Sequence, residues 1–277
     1  MFEVTSRTVA SGLDCHLNGS NGCGFPAPGL ELFQFDPYVQ FTVLGQTFSI
    51  DKPVMIMVFG TFLIVLFYVV ASAKPRMVPG KVQAMGELSY TFVRDQISRE
   101  TIGKAGDKYM PFLMSLFVFV AVMNVMGIIP LIMFPVMSIF AFPATLAVMV
   151  WITYMFIGFH HQGPAFIKNM CVPSGVPLWV LVLLAPIEFI SNIIVRPFTL
   201  AIRLFANMFA GHVLLTVFIV ATFYLASPSV IGILGSTASF AMTLIMTGFE
   251  FAIQMLQAYI FTLLTASYIA GSLANEH

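Results

Sequence analysis

Charge is what this 277-residue chain has least of. Only 9% of its residues are Asp, Glu, Lys or Arg, against about a quarter in an ordinary soluble domain. With 59% hydrophobic residues, a water-soluble globule is excluded and a polytopic membrane protein remains. Cysteine is nearly absent, with three in all. Cys15 and Cys23 lie in the Gly-rich stretch CHLNGSNGCGFPAPG, where a disulfide is one reading for a segment outside the cell. A metal site with His16 is the rival, although the spacing matches no zinc pattern. Cys171 reads as a lone loop thiol. The chain also lacks HExxH, GxSxG, a phosphate loop and any nucleic-acid-binding motif. Nothing therefore points to a self-contained enzyme, a cofactor, a metal centre or a nucleic-acid partner. His160 and His161 are adjacent, so on a helix their side chains diverge by about 100° and cannot readily share a metal. They mark a membrane edge. The N-terminus has no basic segment followed by an apolar one, so no cleaved signal peptide is expected.

What charge there is falls unevenly. Residues 1–51 hold five acids and one base, whereas residues 74–108 hold seven of the twelve Lys and Arg. The positive-inside rule then puts the second segment in the cytoplasm and residues 1–52 outside, as an extracytoplasmic tail. Residues 53–277 read as the membrane domain. Val54–Ala73 gives twenty uncharged residues, enough to cross about 30 Å of hydrocarbon. Residues 80–108 mix apolar residues at helical spacing with charges. They read as an amphipathic helix at the cytoplasmic membrane surface, touching lipid headgroups, with a soluble loop helix as the rival. Tyr109–Phe159 is free of charge and long enough for two spans, Met110–Phe134 and Phe142–Phe159. Pro130, Pro135 and Pro143 mark the turn between them. Two long runs follow, Leu178–Tyr224 and Val230–Leu273. Each is either two spans with a turn or one long helix tilted far from the membrane normal. The segment RPFTLAIR is weak turn chemistry, which favours the second reading. The fold class is then all-α: five membrane-crossing helices, the last two (178–273) long and strongly tilted, plus the amphipathic surface helix. That count leaves the C-terminus in the cytoplasm.

The long runs carry polar stripes. On a regular helix Glu188, Asn192, Arg196, Thr199 and Arg203 fall with Asn207 in one sector of about 100°, with Ser191 just outside. His212 falls on the opposite side from Arg203. In the second run Thr243, Thr247, Glu250, Gln254 and Gln257 form another stripe. A charged side chain at mid-membrane costs about 3 to 10 kcal/mol, so such residues face water, a partner or a pathway. Two plainer readings stand beside this one. Arg196 and Arg203 could snorkel to an interface as anchors, and Glu188 and Glu250 could form structural salt bridges. Carboxylates, a histidine and amides suit a proton path. Arginine holds its proton and would act as a fixed charge. A secondary transporter binding an anion at its arginine is the alternative class, although no internal repeat is evident.

The stretch RPFTLAIRLFANMFAGH resembles the a-subunit family of the F-type ATP synthases, with Arg203 at the family's stator arginine. EFAIQMLQAYIFTLLTASYI resembles its second signature, placing Gln257, and FVFVAVMNVMGIIP an earlier span, placing Asn124. The likeness covers roughly residues 75–275. It implies a stator in a bacterial cell membrane beside a rotating c-subunit ring, held by peripheral-stalk b subunits. Two aqueous half-channels would pass protons, rather than sodium, to and from the ring carboxylates, with Arg203 between them. Some family members carry Glu after A-G and His seven residues before the glutamine; here they are exchanged, as His212 and Glu250. Stripe position and topology assign Glu250, His212, Gln257 and Asn207 to one half-channel, on the outer side. Glu188, Ser191 and Asn192 would lie nearer the cytoplasmic mouth, and Gln254 and Asn124 are further candidates.

Overall fold

The computed structural model describes residues 25, 29, 39–43, 46–73, 75–129, 134–171, 178–227 and 229–273. Cys15, His16 and Cys23 lie outside them. The described chain is helical except for one antiparallel hairpin, β1 (Val39–Val43) and β2 (Gln46–Ile50), in register from Val39 opposite Ile50 to Val43 opposite Gln46. This hairpin, absent from the all-α expectation, directly precedes the first span. The membrane part is all-helical, as expected.

Helix α1 (Lys52–Ser72) begins where the apolar run begins and exposes Val58, Phe62, Val65 and Val69. Those side chains are at home against lipid and would be a liability in water. Helix α2 (Lys81–Phe92) continues through a π-turn (Val93–Arg99) into a 3-10 segment (Gly103–Lys108), so the mixed segment 80–108 is helical. Tyr68 of α1 and Ser89 of α2 share a hydrogen bond of 2.9 Å between their hydroxyls. Arg99 grips Asp107 through Nε at 3.1 Å and a terminal guanidinium nitrogen at 2.9 Å. This pairing holds the Asp107 carboxyl below its ordinary range.

Helix α3 (Met110–Met126) is shorter than expected. The span anticipated to Phe134 stops eight residues early because Gly127 and Ile128 turn back to the carbonyls of Asn124 and Val125, at 2.9 and 3.0 Å. Helix α4 (Ala141–Gln162) ends at Gly163, whose φ of 60° suits glycine. Helix α5 (Ala165–Cys171) follows, so Cys171 closes a short helix rather than sitting in a loop. Helix α6 (Leu178–Ile190) runs through a π-turn (Ser191–Val195) into α7 (Arg196–Leu225), and α8 (Val230–Leu273) is a single 44-residue helix. Both long runs are helical throughout, without the internal turns that splitting them would need.

Among the described residues, four helical stretches are long and apolar enough to cross a membrane: Lys52–Ser72, Ala141–Gln162, Leu183–Leu225 and Val230–Leu273. α3 is apolar but has only 17 residues. The chain divides into two compact units. The first comprises Met1–Gly60, Met123–Ser138 and Asn207–Met255. In it Ser236 and Ser239 of α8 donate to the carbonyls of Thr222 and Phe218 of α7, at 2.9 and 3.1 Å, pinning a helical hairpin. The second comprises Thr61–Val122, Ile139–Ala206 and Leu256–His277. Its core includes Val93, Ile97, Leu113, Val120, Leu200, Leu204 and Ile269. There Gln162 of α4 donates to the Ser272 carbonyl of α8 at 3.1 Å.

Candidate functional site

Each unit contains a cluster of polar side chains inside apolar helices. In the first unit the cluster centres on Glu250 of α8, 6% exposed. Gln254, one turn on, donates from Nε2 to Glu250 Oε1 at 3.2 Å. Asn124, at the end of α3, donates from Nδ2 to the Gln254 carbonyl at 3.3 Å. Gly211 of α7 makes room for the carboxylate, since a Cβ there would lie 3.2 Å from Glu250 Oε1. His212 is buried beside it in sequence, its ring edge-on to Phe134 with centroids 6.3 Å apart. The cluster borders a cavity of about 170 Å³ lined by Asn207, Gly211, Glu250 and Gln254 together with apolar side chains. That is room for roughly five waters.

This cluster is short of hydrogen-bond donors. Glu250 Oε2, Gln254 Oε1 and Asn124 Oδ1 are buried with no partner among the described residues. Buried polar atoms are rarely left so, and the cavity that Glu250 and Gln254 border has room for water to reach them. Thr243 and Thr247 of the expected stripe return their hydroxyls to the Ser239 and Thr243 carbonyls of their own helix.

The second unit's cluster is closed. Arg196 N–H bonds the Ser191 carbonyl five residues back, skipping that of Asn192. The next residue is Pro197, which has no N–H to offer. The Asn192 carbonyl thus loses both helical donors, and Tyr154 of α4 donates to it at 2.6 Å. The Asn192 amide donates to the Glu188 carbonyl at 2.8 Å and to Glu188 Oε2 at 3.3 Å. The Tyr154 and Tyr268 rings lie 5.5 Å apart, and the Arg196 guanidinium sits over Tyr268 at 5.2 Å from its centroid. Such a cation–π contact steadies a guanidinium away from bulk water.

The π-turn changes the helical phase. Its extra residue turns Arg196, Thr199 and Arg203 back by about 100° relative to Glu188. Glu188, Asn192 and the two arginines still share one side, in a sector of about 80°. Arg203 itself is exposed at the surface of its unit, Ser191 is half-buried and Gln257 is buried. The structure therefore gathers Asn124, Asn207, His212, Glu250 and Gln254 in one unit, and holds Glu188, Ser191, Asn192, Arg203 and Gln257 in the other. Tyr154 and Tyr268 were not anticipated. Their signal was a hydroxyl within an apolar span, which needs a partner when buried. Among the described residues no three His, Cys, Asp or Glu side chains group as a metal site.

A family model described as the ATP synthase A chain matches residues 54–270. Relatives named ATP synthase subunit a include one from Streptomyces lividans, 46% identical over 98% of this chain and 95% of its own length. Another, from Frankia alni, is 40% identical over 92% and 88%, and one from Rhodospirillum rubrum is 39% identical over 90% and 98%.

Proposed function

This chain belongs to the ATP synthase A chain family, and on that premise we propose that it is the proton-translocating stator of the membrane sector. It is a membrane subunit of a complex, not a catalytic head. Its partners are the c-subunit rotor ring, the peripheral-stalk b subunits and lipid. It lies in a bacterial cell membrane with its N-terminus outside and its C-terminus in the cytoplasm. α1, α3, α4, the α6–α7 run and α8 make five crossings, with α2 at the cytoplasmic surface. The two long runs measure about 70 and 65 Å, over twice the hydrocarbon thickness, so they lie strongly tilted and partly against protein.

A proton enters one half-channel, neutralises a ring carboxylate, travels round with the ring and leaves by the other half-channel. Glu250, His212, Asn207 and Gln257, with Gln254 and Asn124, serve the outer half-channel. Glu188, Ser191 and Asn192 serve the cytoplasmic one. Arg203 stands between them as a fixed cation, drawing the ionised ring carboxylate, favouring proton release and blocking direct leakage. Lysine would not substitute, because its ammonium has a different hydrogen-bonding shape and a pKa that burial can shift. The observation that carries the reading is an exposed arginine within a 43-residue apolar helical run, since such a charge needs a partner or a pathway. Purification in mild detergent tests it. The ring and the stalk subunits should come with the chain; a chain that purifies alone and moves a small anion would contradict the proposal.

A further inference from the structure

The Asn192 carbonyl is the weak point of the second cluster. A regular α-helix would give it the Arg196 N–H, but that N–H goes to Ser191. A continued π-ladder would give it the N–H of residue 197, but that residue is proline. Both helical donors are therefore missing for a residue only 2% exposed. The hydroxyl of Tyr154, also 2% exposed, supplies the missing donor at 2.6 Å from another helix.

We propose that Tyr154 is a positioning residue for proton transfer, its hydroxyl capping the carbonyl that the π-turn and Pro197 leave open. This inference rests on the proposed function. Without the cap, the buried carbonyl draws the Arg196 N–H back to it, and the turn moves from π toward α geometry. The segment bearing Glu188 and Asn192 then rotates relative to Arg196 and Arg203 by up to about 100°. The Asn192 amide and the Glu188 carboxylate it holds turn together, so the carboxylate changes its bearing on the two arginines. Tyr154 touches no transported proton; it fixes the phase between a carboxylate and the arginines.

The test uses the assembled complex in inverted membrane vesicles and reads ATP-driven proton pumping, ATP hydrolysis and subunit content together. Tyr154→Phe keeps the ring and removes only the hydroxyl. Pumping should fall by about threefold or more, as for the loss of one buried hydrogen bond, with coupled hydrolysis falling beside it and subunit content unchanged. Pro197→Ala restores an N–H five residues beyond Asn192, so Tyr154→Phe with Pro197→Ala should recover most of the lost pumping. A packing role for the ring would not be rescued from a different helix. Normal pumping in Tyr154→Phe, or a defect that Pro197→Ala does not relieve, would overturn the proposal. If Tyr154→Phe does not assemble, recovery of assembly in the double variant supports the cap and its failure overturns it. Arg203→Ala runs in parallel. Normal pumping there sinks the transport reading, whereas loss there beside a normal Tyr154→Phe sinks the cap alone.

Discussion

The two polar clusters differ in how far their hydrogen bonding is closed. Around Asn192 the carbonyl that local geometry leaves open is taken by Tyr154, and the amide is spent on Glu188. Around Glu250 three buried oxygens have no partner among the described residues, and a cavity of about 170 Å³ adjoins Glu250 and Gln254. An unsatisfied polar group in hydrocarbon costs several kcal/mol, so the open cluster is stable in a membrane only if water reaches it. A closed network fixes geometry, and an open one beside a cavity provides room for a proton in transit. The molecule contains both arrangements.

Changes within each cluster can break this contrast. The largest expected effect in the open cluster is that of Glu250→Gln, which keeps shape and removes the titrating group. Pumping by the assembled complex should fall by about tenfold or more, the scale of a lost acid–base group. His212→Ala should act in the same direction. Normal pumping in both would make the open cluster idle. In the closed cluster Asn192→Ala removes the amide that holds Glu188. It should lower pumping about fivefold and reduce the amount of chain in the membrane, since it strips a buried hydrogen bond worth about 1 kcal/mol. Loss of chain without loss of pumping per complex would make this cluster purely structural.

Gln254→Leu sharpens the contrast. It removes the donor to Glu250 and one orphaned oxygen while nearly keeping volume, and pumping should fall about threefold. Subunit content should hold, because an apolar residue replaces a half-satisfied polar one. The smallest effect belongs to the exposed pair Arg99–Asp107, which is no part of either cluster. Asp107→Asn should change pumping by less than about twofold, as surface pairs contribute little. The Asp107 carboxyl is held below its ordinary pKa by Arg99. Its contribution is therefore present above the unfolded carboxylate pKa and is lost as the pH falls through the lower, folded value. A stability difference between wild type and Asp107→Asn that grows as the medium is acidified would contradict that sign.

Much of this was legible in the residues. Twenty apolar residues ending in KPRMVPG announce α1, and the uninterrupted run after ASPS announces α8 over Val230–Leu273. The candidate residues Glu250, Gln254 and Asn207 border one cavity because helical spacing puts Glu250 and Gln254 on one face of α8. What could not be read depends on distant partners. The π-turn at Ser191–Val195 is stabilised by a hydroxyl 38 residues away in sequence, and only Pro197 hints at it locally. α3 ends at Met126 rather than Phe134 because Gly127 and Ile128 turn, and apolar composition continues past the turn. The β1–β2 hairpin had a signal, the alternation of Val39, Phe41 and Val43 with Gln40 and Thr42 and of Phe48 and Ile50 with Thr47 and Ser49, in a segment read only as a tail.

The proposed function turns on Arg203 acting in transport rather than as an anchor. ATP-driven proton pumping in inverted vesicles, comparing wild type with Arg203→Ala in fully assembled complex, tests it most directly. Pumping should be lost while the complex stays intact. Normal pumping in the intact complex would contradict it and leave the arginine as an interfacial anchor.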